Sequence, residues 1–249
     1  MFYGVLAGLA AGALWGFVFI VPRMVPNFSP VDLTVGRLVS YGALSFALMI
    51  SMRQSAWPTV RQAFSVFGLS VLGFTGYYLL LVLAIRDAGT AATSLIIGSI
   101  PIWMMLLGKP AELHLAALLP KPILTLLGLA LMMRAETNVS ALGQDFWRGV
   151  AFAVASMVCW TAFVLLNAAW LKRHPSISAT TWVNWLGVAT GVGALELWIA
   201  VGSDTNMLLV QQNRVQEVLI CIATGVGSAW LATILWNTAS QRLSVSLCG

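Results

Sequence analysis

Residues 1–23 read MFYGVLAGLAAGALWGFVFIVPR. Gly4, Gly8, Gly12 and Gly16 recur at every fourth position within an apolar run. Steps of four keep them on one slowly turning face of a helix. In lipid, apolar side chains gain nothing by leaving their solvent, so helices associate through close backbone packing that small residues permit. The ladder therefore predicts a spanning helix wrapped by other helices. Trp15, Phe17 and Phe19 stand at its upper end, where a packing seam can open into an aromatic cavity wall. The stretch lacks a basic leader, and its apolar run is too long for the core of a signal peptide.

The rest of the chain agrees with a membrane setting. Of 249 residues, 59% are apolar and only 8% are charged, whereas a soluble domain carries about 25% charged residues. That is too little polar surface to cover a soluble globule, so an all-α polytopic membrane protein is expected, with the lipid bilayer as its partner. The net charge of +5 sits in short breaks between apolar runs, which suits headgroups and leaves no basic patch for nucleic acid. Cys159, Cys221 and Cys248 are scattered, which argues against disulfides and metal sites. No cofactor is expected.

A spanning helix needs about 20 apolar residues, and eight candidates follow one another. Span 1 covers 2–22, span 2 covers 31–52, span 3 covers 63–85 and span 4 covers 89–107. Pro101 should kink span 4 or free a carbonyl within it. Span 5, 113–133, contains Pro120-Lys121-Pro122; the helix breaks there or Lys121 snorkels to an interface. A polar hinge, 134–148, separates the halves. Spans 6, 7 and 8 cover 149–171, 177–201 and 218–240. With the N-terminus on side A, that side holds Arg53, Arg61, Lys109, Lys172, Arg173 and Arg242. Side B holds Arg23, Arg86, Arg134, Arg148 and Arg214. The excess of basic residues on side A predicts a cytoplasmic N-terminus.

The second half echoes the first. Ala13-Leu14-Trp15-Gly16-Phe17 is matched near Trp160 by Val158-Cys159-Trp160-Thr161-Ala162-Phe163, and Ser29-Pro30-Val31 by Ser176-Ile177-Ser178. Ala84-Ile85-Arg86-Asp87-Ala88-Gly89 is matched by Ala239-Ser240-Gln241-Arg242-Leu243-Ser244. The offsets are 145, 147 and 155, growing where loops lengthen. If span 6 restarts the pattern of span 1, each repeat holds five spans, and an odd number inverts the second copy. Inverted repeats are typical of secondary transporters, with the solute site near the midplane between the halves. The expected units are 1–134 and 147–249. The second holds spans 6 to 8 and the start of a ninth, so the chain is expected to lack most of spans 9 and 10.

The Ala-x-x-Trp-Gly-x-x-Phe-like opening around Trp15, Arg37 early in span 2, and Ala84-Ile85-Arg86-Asp87-Ala88-Gly89 before the Pro101 helix resemble the EamA-type repeat. Leu235-Trp236, followed by Ala239-x-x-Arg242-Leu243, resembles the same repeat in the second half. EamA-type repeats belong to the drug/metabolite transporter superfamily. The aromatic-rich spans 1, 3 and 6 are further similar to those of YddG-like bacterial exporters of aromatic amino acids. The resemblance covers nearly the whole chain, through loose and mostly apolar motifs. It implies a ten-helix fold, both termini in the cytoplasm, and alternating access through a cavity surrounded by spans 1, 3, 4, 6, 8 and 9. Lys121 departs from the pattern.

Within that frame the candidate substrate-binding residues are Trp15, Tyr77, Tyr78, Ser94, Ser99, Trp160, Phe163, Asn167, Thr233 and Asn237. A phenol in lipid needs a polar partner, so Tyr77 and Tyr78 should face protein or a wet cavity. Neighbours on a helix point about 100° apart, so one of the two is expected to reach the centre. Trp15 and Trp160, related by the repeat, could stack on a flat solute. Packing is the expected role of Trp103 and Trp236. Ser and Thr can satisfy their own helix backbone; Asn167 and Asn237 are costlier to bury and better suited to amino or carboxylate groups. Arg37 and Glu196 are the ionisable groups deepest in spans 2 and 7, and intramembrane charges pair or line pathways. The expectation is an Arg37–Glu196 pair at an outer gate, with independent snorkelling as the alternative.

His114 and His174 lie at helix ends, and no nucleophile elbow, zinc-protease helix or phosphate-binding loop occurs, which argues against an enzyme or a nucleotide-driven pump. No ring of charges or carbonyl filter marks a channel. The function expected is export of small metabolites, most of all amino acids including aromatic ones, across the inner membrane by a monomer. Export of another metabolite or a drug cation, and a channel-like pore, are the alternatives.

Overall fold

The computed structural model of the protein describes residues 2–25, 29–51, 57–107, 123, 127, 144–201 and 214–242. Every regular element among them is helical. They are α1 (Phe2–Gly16), continued by a 3-10 turn (Phe17–Phe19) and the short α2 (Val21–Met24), then α3 (Pro30–Ser51). Next come α4 (Val60–Ser70), a π-helical segment (Val71–Thr75), α5 (Gly76–Gly98) and α6 (Ile100–Leu107). The second half contains α7 (Gln144–Arg173), α8 (Ala179–Val201), α9 (Arg214–Thr224), a second π-helical segment (Gly225–Leu231) and α10 (Ala232–Arg242). Expected span 5, with Lys121, falls almost wholly outside the described residues.

Among the described residues, five helical stretches are long and apolar enough to cross a membrane, and Tyr3–Phe19 forms a shorter apolar helix. One stretch, Val60–Met104, has 45 residues. Drawn straight it would be about 67 Å long at 1.5 Å per residue, twice the ~30 Å of hydrocarbon. It is broken at Gly89, whose φ is +84°. That conformation is open to glycine at no steric cost, and it separates spans 3 and 4. Pro101 marks a second break: α5 stops at Gly98, and the Ser99 hydroxyl donates to the Ile96 carbonyl at 2.6 Å.

Helix starts lie further out than the apolar runs. Span 3 begins at Val60 instead of Ala63, because Thr59 and Gln62 form a capping box. The Thr59 hydroxyl accepts from the Gln62 amide, and the Gln62 side chain accepts from the Thr59 amide at 2.9 Å. Polar residues that read as loop therefore satisfy the orphan donors of the first turn. Span 6 likewise begins at Gln144, and span 8 at Arg214.

The helices pack in a reciprocal pattern. α1 lies against α10, and α5 runs along α7; α3 touches α9 and its π segment, and α8 touches α4 and its π segment. At the centre, α3 lies along α8. Here the backbones themselves meet. A Cβ placed on Gly42 would sit 2.7 Å from the Gly191 Cα, and one on Gly187 would run into Ser45 and the Tyr41 ring. Gly187 and Gly191 are one helical turn apart, the small-xxx-small spacing that permits close approach. The Tyr41 hydroxyl locks the same seam by donating to the Val183 carbonyl at 2.7 Å.

At the opposite end, the turn after span 3 is tied to the start of α7. Asp87 accepts from Arg86 Nε at 2.8 Å and from Arg148 Nε at 2.7 Å. Gly149 lies flat against this turn, its would-be Cβ 2.5 Å from the Ala88 amide nitrogen.

The expectation that α1 is wrapped by other helices is corrected on two counts. Gly4 is buried and Gly8 packs, with its would-be Cβ 3.8 Å from the Ala239 Cβ, but among the described residues Gly12 and Gly16 have nothing within 4 Å. Tyr3, Val5, Leu6 and Leu9 lie exposed on another face. A four-residue ladder turns slowly around the helix, so its two ends do not meet the same neighbour.

Gly187→Leu should lower the unfolding free energy of the detergent-solubilised protein by about 3 kcal/mol, the upper part of the overpacking range. Gly12→Ala should leave it unchanged or slightly raised, since alanine favours a helix by about 1 kcal/mol over glycine. Thermal or denaturant unfolding followed by tryptophan fluorescence checks both.

Candidate functional site

The two π-helical segments begin at Val71 and Gly225, 154 positions apart, and each follows an 11-residue helix. A π turn widens the helix and re-aims its side chains, and such turns occur often at functional sites. Both are glycine-bearing, and the glycines are in contact. Gly73 faces the Phe163 ring, with 2.5 Å left for a Cβ; Gly225 abuts the Arg37 carbonyl, with 2.5 Å left. The segments thus press against α7 and α3 at the depth where an enclosed cavity opens.

The cavity holds about 310 Å³. α1 contributes Gly8, Gly12 and Trp15 to its wall, the 3-10 turn contributes Phe19, and α3 contributes Arg37 and Leu38. Gly73, Phe74, Tyr77 and Tyr78 come from the π segment and α5, and Pro101 and Met104 from α6. Trp160 of α7, Ser228 of the second π segment and Trp236 of α10 close it. The rings form a continuous set. Trp15 meets Trp160 edge-on at 5.1 Å between centroids and Trp236 at 5.3 Å. Tyr77 lies 4.8 Å from Trp160. Two wider grooves, of about 530 and 550 Å³, are open and lined by exposed apolar side chains such as Val215 and Phe64. Their surroundings are those of a lipid-facing surface.

Arg37 is the charged side chain of the cavity wall. It is 5% exposed. Its guanidinium carbon lies 4.0 Å from the centroid of the Tyr78 ring, and one terminal nitrogen donates to the Ser228 hydroxyl at 3.2 Å. It makes no salt bridge among the described residues. Among the described residues its Nε and the Tyr78 hydroxyl, both buried, have no hydrogen-bond partner of good geometry. An arginine at the centre of a spanning helix costs about 3 kcal/mol on insertion scales. A π face returns about 0.5–2 kcal/mol of that. The remaining donors are what an incoming polar group would meet.

The expected site residues divide into two groups. Trp15, Tyr77, Tyr78 and Trp160 line the cavity. Both tyrosines reach it, where one was expected, because it curves around α5 from Trp160 on one side to Arg37 on the other. Phe163 lies behind the wall, buried between Phe74 and Trp160 at 5.5 and 5.3 Å. Ser94 donates to the Ala91 carbonyl, and Ser99 also faces Met157. Thr233 bonds back to the Ala229 carbonyl. Asn167 and Asn237 bond to each other at 3.3 Å, and Asn167 accepts from the Trp182 indole at 2.6 Å. That places both asparagines in a buried interhelical network instead of the cavity wall.

Two expectations are corrected. Arg37 and Glu196 form no ion pair, because Arg37 turns inward onto Tyr78 and Ser228 while Glu196 is exposed. Trp236, expected only to pack, lines the cavity; Trp103 is exposed and does not. Span 2 was not expected among the cavity helices, yet it supplies Arg37. The signal was present, since a lone arginine early in an apolar helix marks a pathway as readily as a gate.

Residues 2–110 match the EamA-like transporter family. The chain is 26% identical to the inner membrane protein YtfF of Escherichia coli strain K12, over all of this chain and 83% of that protein. A solved crystal structure superposes with a TM-score of 0.71 at 19% identity, covering 98% of this chain and 81% of its own. That likeness concerns the fold. Together with the membrane-spanning helices, these matches make residues 2–110 similar to the EamA-like transporter family, which belongs to the drug/metabolite transporter superfamily.

Proposed function

We infer that the protein exports small metabolites, above all amino acids including aromatic ones, across the inner membrane by alternating access. The observation that carries this reading is the partly enclosed cavity walled by Trp15, Tyr77, Trp160 and Trp236, into which both halves of the chain project. At about 310 Å³ it stands at the small end of ligand sites, which run from about 300 to 1,000 Å³. That size suits a metabolite with one flat ring better than a drug-sized solute. Placement in the inner membrane takes its support from the Escherichia coli relative, whose name places it there.

The mechanism treats 1–134 and 147–249 as two inverted copies. Its supports are the repeated motifs, the π segments 154 positions apart, and packing that is reciprocal when the halves are exchanged. In such a fold one repeat rocks against the other around a fixed site. The α3–α8 seam, where backbones touch at Gly42 and Gly191, is the natural pivot. A cytoplasmic N-terminus rests on the distribution of arginine and lysine between the two faces. We read the functional unit as a monomer. Among the described residues no carboxylate lines the cavity, so transport is expected to be facilitated or weakly coupled.

In proteoliposomes, the protein should show saturable counterflow of L-tryptophan or L-phenylalanine. Trp160→Ala should reduce it at least tenfold, and Gly12→Leu, which fills open cavity space, should do the same without lowering thermal stability. Unchanged counterflow in both variants would place the solute elsewhere, and resolvable single-pore currents would make the protein a channel. Glu196→Gln should leave downhill flux within twofold of wild type; loss of that flux would show that the exposed carboxylate is needed.

A further inference from the structure

We propose that Arg37 makes the cavity selective for solutes that carry a single carboxylate. The inference rests on the cavity being the solute site, and it adds the chemistry that the site recognises.

A guanidinium has five N–H donors in a planar fork that matches a carboxylate. In Arg37 one nitrogen is engaged with Ser228, and the buried Nε has no partner among the described residues. The side chain cannot lose its charge as a lysine can, because arginine stays protonated in proteins. Its positive charge is therefore held permanently at the wall of a cavity from which carboxylates are absent among the described residues.

Three neighbours keep it there. The Tyr78 ring supports one face of the guanidinium at 4.0 Å. Ser228 holds one end, and Ser228 is itself bonded to the Thr224 carbonyl at 2.8 Å. Gly225 lets the second π segment come close to the Arg37 backbone, where a side chain would collide. The arginine is thus positioned by elements from both halves, with donors left over. The buried Tyr78 hydroxyl, with no hydrogen bond of good geometry among the described residues, is a further polar group beside it.

The charge balance sets the class of solute. One guanidinium neutralises one negative charge, so a carboxylate fits and a phosphate monoester, close to two charges at neutral pH, is left uncompensated. An organic cation without a carboxylate meets like charge in a poorly hydrated space, where Coulomb repulsion is little screened. For a zwitterionic amino acid, the carboxylate goes to Arg37 and the ammonium to the ring faces of Trp15, Tyr77 or Trp160, which attract cations.

Benzoate, benzamide, benzylamine and phenyl phosphate separate these cases, because all share one ring. Binding to the purified full chain can be read by quenching of tryptophan fluorescence and by thermal shift, independently of transport. Benzoate should bind wild type at least tenfold more tightly than benzamide, benzylamine or phenyl phosphate. Arg37→Gln should weaken benzoate at least tenfold and leave benzamide within twofold, and Arg37→Lys should fall between. Equal binding of benzoate and benzamide by wild type, benzoate binding retained in Arg37→Gln, or tighter binding of phenyl phosphate would each overturn the proposal. If Arg37→Gln does not fold, the four-ligand comparison on wild type still decides it. Arginine-dependent benzoate binding without counterflow of any amino acid would instead overturn the transport reading and leave the anion site standing. Counterflow of aromatic amino acids without a carboxylate preference would do the reverse.

Discussion

The contact on which the molecule depends is that between the backbones of α3 and α8. In water, such a pair of helices would be held by apolar side chains leaving solvent. In lipid that drive is absent, and what remains is close packing and interhelical hydrogen bonding. Gly42, Gly187 and Gly191 remove the side chains that would keep the two axes apart, and the Tyr41–Val183 hydrogen bond fixes their register. Every other helix is arranged around that seam. α4 and its π segment lean on α8, and α9 and its π segment lean on α3. Once the central pair is set, the cavity lies between the two leaning elements and is closed by α1 and α7.

Polar side chains in this interior fall into two kinds, and burial alone does not tell them apart. Asn167, Asn237 and Trp182 form a chain linking α7, α10 and α8, and Trp230 donates to Asn184 between the second π segment and α8. Such bonds average about 0.6 kcal/mol in membrane proteins, so they set which helices meet more than how strongly. Arg37 is of the other kind. Its partners are a ring face and one hydroxyl, and the guanidinium remains under-satisfied. The asparagine bonds run between helices and leave Asn184 Nδ2 and Asn237 Nδ2 without a partner among the described residues, so what sets Arg37 apart is its place on the cavity wall.

Much of this could be read from residues alone, and the exceptions share a cause. Composition gave the membrane class, and the turn at Gly89 and the break near Pro101 were visible because those two residues carry their own backbone rules. Trp15, Tyr77, Tyr78 and Trp160 were identifiable as cavity residues, since aromatic rings deep in spans are either packed or solute-facing. Asn167, Asn237 and Thr233 read as ligand groups in the sequence, which shows that a polar side chain must be satisfied, not by whom; they bond within and between helices, outside the cavity wall. Glu196 and Arg37 misled in the same way. Opposite charges at similar depth invite pairing, but the rotation of α3 and α8 about their axes decides where each points, and it is set by Gly42, Gly187 and Gly191. The widened turns at Val71–Thr75 and Gly225–Leu231 had no residue signature beyond an excess of glycine.

A carrier must also release what it binds, and this bears on why Arg37 is held so loosely. A carboxylate partner within the chain would satisfy the guanidinium and compete with every solute. No partner at all would leave a buried charge dear enough to draw in water or distort α3. The Tyr78 face and the Ser228 hydroxyl lie between these limits: they offset part of the burial cost and saturate none of the remaining donors. Ser228 belongs to the second half and Arg37 to the first. In the alternating-access mechanism proposed above, rocking of one half against the other would stretch or restore that 3.2 Å bond and change the hold on the guanidinium between the two access states. The same hydroxyl that positions the arginine could thereby weaken its grip on a bound anion at the moment of release.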